Sequence, residues 1–358
     1  MKVYYLLFFI TLSLSILLDA NSEKQWRWKL FFVFLPLFVY GAIRVDYGND
    51  YSAYEELFNY IHSDQSFQLD SSLHAEVGYQ FLNVIMPSFR CILVLNAFLL
   101  SLALGVFCYQ VVPRRYLWLF IILLFLNPEK NIFGQLVALR NGLVVTSFLL
   151  CFPLLYKRRI IPFAVLTVIL GSIHTSALLF LPIAYFAGSS HPFTKKDMWF
   201  WGGIIVLLLF LSMSRLSQVL ALFVERDLFS RYEAYTDAVL RRGVLISIVN
   251  IASIFLIITY FIQRGKSLEQ KENSLLRLGI LFSVMFLFGS LSTRSSYYYD
   301  VFYLGAVVKV FSDKHAPIIS RIGFLALVIV TSCYSMFHVW MGSEWWNHSV
   351  YHSLLGSW

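Results

Sequence analysis

Long runs of Leu, Phe, Ile and Val recur along this chain, separated by short polar or basic breaks. A helix needs about 20 mostly apolar residues to cross the hydrocarbon core of a bilayer. The breaks divide the sequence into about twelve segments of roughly that kind, some of them short: 3–18, 30–43, 91–112, 116–128, 134–156, 160–173, 175–188, 198–213, 243–262, 275–292, 297–311 and 319–341. Membrane β-strands would instead alternate over about 10 residues, and no such alternation is present. The expected fold class is all-α: a polytopic helical membrane protein of about 10–12 transmembrane helices, forming a single integral membrane domain over residues 1–358. The break between 160–173 and 175–188 is so short that it predicts a tight hairpin around Ser172-Ile-His174.

Composition agrees with this reading. The chain is 59% hydrophobic and 13% charged, whereas soluble domains carry about 25% charged residues, so no separate soluble domain is expected. The first segment follows Lys2 as a signal peptide would. It ends in Leu18-Asp19-Ala20-Asn21 without a small-x-small cleavage site, and is read as a retained span. The four cysteines (Cys91, Cys108, Cys151, Cys333) lie in apolar stretches without CxxC spacing, which predicts structural thiols. No HExxH pattern, Walker loop or GxGxxG appears, so no metal, no cofactor and no nucleic-acid partner are expected.

The placement of basic residues predicts orientation, because cytoplasmic loops are enriched in Lys and Arg. With both termini outside, the inner loops hold sixteen such residues, from Lys24, Arg27 and Lys29 to Lys314 and Arg321, and the outer loops hold eight. The 44–77 stretch carries seven acids against one arginine. Residues 44–90, with interfacial helices, and the long 214–242 loop are thus expected on the outer face. The same holds for the Asn127-Pro-Glu-Lys130 turn, the His174 hairpin tip and the Thr293-Arg294-Ser295 turn.

The unusual polar residues gather on that face. Arg44 opens an acidic, tyrosine-rich segment, Arg44-Val-Asp-Tyr-Gly-Asn-Asp50-Tyr51-Ser-Ala-Tyr54, which continues to Glu76-Val-Gly78-Tyr79. Tyr47-Gly48-Asn49 reads as a turn, and Asp50 could open a short interfacial helix with Tyr51 and Tyr54 one turn apart. Arg140 lies at the mouth of an apolar span, where a guanidinium costs at least about 2.5–3.5 kcal/mol on insertion scales. It is tolerated there as half of an ion pair or as a ligand for phosphate, whose oxygens suit its donor fork. Arg294, among hydroxyls and beside Tyr297 to Tyr299, and Arg231 in the long loop are further cationic candidates. His174 is either a hydrogen-bonded helix end or a group that orients a hydroxyl near neutral pH.

In order along the chain, these residues resemble the EpsG-like branch of the Wzy polysaccharide polymerases. The shared pattern is Arg44, Gly48-Asn-Asp50-Tyr51-Ser-Ala-Tyr54, Glu76-Val-Gly78-Tyr79, Arg140, Ile173-His174-Thr-Ser176-Ala177 and Arg294, spread over about residues 40 to 300. Leu139-Arg140-Asn141-Gly142 departs from it, since many relatives have Arg-Gln. The resemblance implies a bacterial inner-membrane glycosyltransferase of glycosyltransferase-C-like architecture, with its active face periplasmic. It would join undecaprenyl-diphosphate-linked oligosaccharide repeat units, donor and acceptor alike, into O-antigen, capsular or exopolysaccharide. The membrane lipids, a chain-length regulator and a flippase are the neighbours it implies. Arg140, Arg294, Arg231 and Arg44 would bind the diphosphate; Asp50, Glu76 or His174 would activate the acceptor hydroxyl; Tyr51, Tyr54, Tyr79 and Tyr298 would hold sugars.

Three other classes compete. An O-antigen ligase uses the same kind of donor but places its key histidine in a large outer loop, unlike His174. A lipid-linked sugar flippase should show charged span interiors or internal repeats, neither of which is evident. A membrane acyltransferase lacks support because the first histidine is His62, within the acidic loop.

Overall fold

The computed structural model describes residues 2–48, 50–63, 75–126, 129–213, 244–287, 297–341 and 352–357. These are almost entirely helical. In chain order the helices are α1 (Lys2–Leu17), α2 (Glu23–Ile43), α3 (Tyr51–Ser63), α4 (Val77–Ile85), α5 (Phe89–Val111), α6 (Leu117–Leu126), α7 (Gly134–Val137), α8 (Leu139–Leu150), α9 (Phe152–Tyr156), α10 (Ile160–Ile173) and α11 (Ala177–Ala187). They continue with α12 (Lys195–Met213), α13 (Val244–Arg264), α14 (Gln270–Leu287), α15 (Asp300–Ser312) and α16 (Phe324–Met341). Near the C-terminus, β1 (His352–Ser353) and β2 (Gly356–Ser357) form a two-stranded antiparallel hairpin.

The chain divides into two compact units, Met1–Phe186 with Ser332–Trp358, and Ala187–Thr331. In the first, α2 packs along α5, α5 along α8, and α1 against α2 and α6. Val33, Leu37, Ile92, Leu93, Leu100 and Leu104 are sealed in its core. The start of α2 is a capping box: the Ser22 hydroxyl accepts from the Gln25 N–H, and Gln25 Oε1 accepts from the Ser22 N–H at 2.9 Å, satisfying two donors that a helix start leaves orphaned. Its other end is closed by Arg90, whose guanidinium donates to the carbonyls of Ile43 and Arg44. The C-terminal hairpin adds a Leu354 N–H to the Ile43 carbonyl at 3.0 Å.

In the second unit α14 packs on α13 and α15. Arg277, almost fully buried, pairs with Asp197 at 2.6 Å, donates to the His191 carbonyl and lies over the Phe193 ring. Asp313 accepts from Tyr260 and Arg264, and Lys309 pairs with Glu272.

Among the described helices, α2 and α5 are each long and apolar enough to cross a membrane, and a third span results if α6 and the bent segment after it count as one. Helices α1, α8, α10 and α11 are apolar but shorter. The expected count of twelve spans and a glycosyltransferase-C-like arrangement therefore exceed what helix length alone supports.

One expected span differs in kind. The 134–156 stretch is three helices, α7, α8 and α9, interrupted at Ala138 (φ −80°, ψ 77°) and again at Cys151. Pro153 accounts for the second break, since it cannot donate to the preceding turn. The first has no proline or glycine at its apex. Upstream, the chain turns by 91° between α6 and residues 131–137, so α7 runs across the direction of α6 and leads into the break.

Glycines let α7 sit this deeply. A Cβ on Gly41 would lie 2.8 Å from the Ala97 Cβ and 2.9 Å from Leu136, and one on Gly48 would lie 2.7 Å from Val137. Gly48 also has φ +112°, which L-residues rarely adopt. Gly48→Ala is expected to destabilise the protein by roughly 1–3 kcal/mol, read as a lower unfolding midpoint in detergent. A midpoint equal to wild type would show that the α7 contact is not tight.

Candidate active site

The 44–90 segment, read from sequence as a loop with interfacial helices, contains α3 and α4. Tyr51, Tyr54 and Phe58 form the buried face of α3 and pack with Tyr79, Phe89, Ile92, Leu93, Leu139 and Leu143. The three tyrosines proposed as sugar platforms therefore do not stand on the surface. Tyr51 and Tyr54 are 9% exposed, because their i, i+3, i+7 spacing with Phe58 is a core stripe of α3, and Tyr79 on α4 is 0% exposed. Tyr54 meets Tyr79 edge to face at 5.7 Å.

Glu76 is the residue just before α4. Its backbone carbonyl accepts from Tyr79 and Gln80, and the Gln80 side chain fixes the approach by donating to the Ala75 carbonyl at 2.8 Å. Helix α4 packs on α10, and Gly78 makes the contact close: a Cβ there would collide with Ser172, whose carbonyl oxygen would lie 2.7 Å away. This brings the Glu76 carboxylate onto the α10–α11 turn. His174, the residue that caps the C-terminal end of α10, has an extended backbone and donates its N–H to the Leu170 carbonyl at 2.9 Å. Gly171 lets Leu178 of α11 fold back over α10, so the expected tight hairpin forms.

The outcome is one carboxylate shared between two partners. Glu76 Oε2 accepts from Arg140 Nη1 at 2.6 Å. Glu76 Oε1 lies 3.0 Å from His174 Nδ1 and accepts from the Thr175 N–H at 3.1 Å and the Thr175 hydroxyl at 3.3 Å. The three side chains of the cluster are only partly exposed, Arg140 at 25%, His174 at 28% and Glu76 at 16%. The Arg140 guanidinium lies 5.9 Å from the Tyr54 ring centre, and the Tyr54 hydroxyl interacts with both the side chain and the backbone of Arg140. Tyr54 thus supports the arginine from below, a role different from the sugar contact expected of it, and burial raises its hydroxyl pKa.

The surroundings of Glu76 favour its ionised form. Burial disfavours its ionised form, but the hydrogen bonds from His174 and Thr175 and the Arg140 charge outweigh that and bring its pKa down to about 2 from 4.5. A carboxylate that stays ionised can only accept from a ring nitrogen 3.0 Å away, so Nδ1 of His174 carries a proton, and in the neutral ring the lone pair lies on Nε2.

The remaining expected site residues lie elsewhere. Arg44 is 1% exposed; it is a buried structural cation near Tyr47, Tyr51 and Tyr79, not a surface ligand for a diphosphate. Asp50 is exposed at the start of α3, its carbonyl accepting from the Tyr54 N–H at 3.1 Å, and its carboxylate is not part of the Glu76 cluster. Tyr298 belongs to the second unit, buried and 6.3 Å from Tyr299. Arg231 and Arg294 fall outside the described residues. Thr175 and Arg90 were not among the expected site residues.

The lowered Glu76 pKa predicts a stability profile. A depressed folded value contributes stability fully above the unfolded value of 4.5 and loses it as pH falls through about 2. Wild type should exceed Glu76→Gln by roughly 2–3 kcal/mol near neutral pH, and the gap should narrow between pH 4.5 and 2. Unfolding measured across that range checks this, and a gap independent of pH would contradict it.

In a comparison against protein families, the EpsG family model matches residues 27–352. No curated protein and no solved structure matches the chain. EpsG is a Wzy-like polysaccharide polymerase family, and its match together with the apolar helices makes this a membrane protein of glycosyltransferase-like polymerase type. With nearly its whole length matched, the chain belongs to the EpsG family.

Proposed function

We propose that this protein polymerises undecaprenyl-diphosphate-linked oligosaccharide repeat units at the periplasmic face of the bacterial inner membrane, with Glu76, His174 and Arg140 as its reacting cluster. The observation that carries the reading is the Glu76 carboxylate, one oxygen on His174 and the other on Arg140. It joins a proton acceptor to a cation within one hydrogen-bonded unit, as glycosyl transfer from a lipid diphosphate requires.

The roles divide by basicity. A carboxyl group with a pKa of about 2 is a poor general base near neutral pH, because efficient proton transfer needs a pKa close to the working pH. His174 is the base, and Glu76 fixes its tautomer and stabilises the imidazolium that forms, as the carboxylate does in a hydrolase triad. The acceptor hydroxyl oxygen attacks the anomeric carbon of the donor and its proton passes to His174 Nε2. The bond from that carbon to the diphosphate oxygen breaks, and the lipid diphosphate leaves with the electron pair. Arg140 stabilises the charge growing on that leaving group, the electrostatic contribution that is usually largest in such reactions. Arg294 and Arg231 are proposed to add to this cation field, and Asp50, exposed beside α3, is a polar neighbour and not the base.

The tight α10–α11 turn that carries His174 favours polymerisation over ligation, which places its histidine in a large loop. In a strain deleted for this gene, complementation with Arg140→Ala or His174→Gln is expected to leave single-unit glycan in place of long chains. Asp50→Asn should restore normal length. Normal-length glycan from well-inserted Arg140→Ala or His174→Gln would overturn the assignment, and complete loss of surface glycan in the deletion strain would favour flipping or ligation.

A further inference from the structure

Asn96 lies in the interior of α5, within one of the two self-sufficient spans, and is 0% exposed. An amide inside an apolar span is costly unless it is hydrogen-bonded. Its Nδ2 donates to the carbonyls of Gln135 at 2.9 Å and Leu136 at 3.4 Å. Those two carbonyls have a particular history. In an unbroken helix each C=O accepts from the N–H four residues on, so Gln135 and Leu136 would accept from Leu139 and Arg140. The break at Ala138 removes both bonds, and α8 begins anew with Gly142 donating to the Ala138 carbonyl at 2.8 Å.

We propose that Asn96 is the positioning residue for Arg140. Its side-chain amide replaces the backbone donors of Leu139 and Arg140, holds α7 in its broken geometry, and so leaves the first turn of α8 facing the cluster. The Arg140 backbone is then turned towards the Tyr54 hydroxyl while the guanidinium reaches Glu76. Gly142 closes the same joint from the other side: the Gln135 carbonyl packs directly on it, and any Cβ there would overlap that oxygen. Without the Asn96 amide, the two bonds that tie the α7 carbonyls to α5 are lost. The simplest relief is to re-form the straight helix, which rotates Arg140 away from Glu76.

The functional half of this inference rests on Arg140 acting in the transfer reaction; the structural half does not. Both are tested in the full-length protein in membranes. Hydrogen exchange over residues 134–145 should change in Asn96→Leu while exchange at the α10–α11 turn stays as in wild type. Polymerisation by Asn96→Leu should fall by about tenfold or more, a loss of the size that small misplacements of a reacting group produce. The loss should appear in kcat, and Asn96→Leu combined with Arg140→Lys should be no worse than Arg140→Lys alone. Asn273→Leu is the control, since Asn273 is an equally buried amide that donates to the Leu268 and Glu269 carbonyls in the other unit; it should keep its activity per folded molecule. Should Asn96→Leu fail to insert, Asn96→Ser, which retains one donor, should show the same pattern at smaller amplitude. Unchanged exchange over 134–145, or losses that multiply with Arg140→Lys, would overturn the proposal. An active Arg140→Lys combined with altered exchange would instead sink the polymerase roles and leave the brace standing.

Discussion

A single carboxylate with two partners organises the first unit of this protein. Glu76 must stay ionised in a half-buried position, and it does so only because His174, Thr175 and Arg140 converge on it from two other parts of the chain. Each of those groups needs its own backbone event. Gly78 allows α4 to touch α10, Gly171 allows α11 to fold back, and the break at Ala138 turns the start of α8 inward. The helices around the cluster are ordinary; the points where they approach too closely for a side chain, or stop too soon, are where the cluster is assembled.

That arrangement explains why the charged groups at the cluster are tolerated. An isolated arginine at the mouth of a span would be costly, but Arg140 is matched by Glu76, supported by the Tyr54 ring and still a quarter exposed. Such a cation is neutralised at rest and remains open to an incoming anion. Glu76 in turn is too acidic to take a proton and suited to holding one in place on its neighbour, which is why the proposed mechanism gives the role of base to His174.

Much of this was legible in the sequence and some was not, for identifiable reasons. Apolar runs mark segments, so nearly every expected span coincides with a helix. The 134–156 run is the exception: hydrophobicity is indifferent to whether a backbone bends, and its first break is held by Asn96, forty residues away. The motif residues Glu76, Arg140 and His174 stood out by type, but nothing in their spacing said that one carboxylate serves both other groups. The tyrosines misled because aromatic residues in an acidic segment suggest sugar contact, while their helical periodicity with Phe58 already described a buried face. Arg44 misled in the same way, since a charge in a polar stretch reads as exposed, yet here it is enclosed.

The central claim is that Glu76 and His174 act as one unit. A double-mutant cycle on kcat/KM for polymerisation, using Glu76→Gln, His174→Gln and the combined variant, tests it most directly. If the carboxylate works through the imidazole, the double variant will lose about as much activity as His174→Gln alone. Losses that multiply, with each residue contributing independently, would contradict the account.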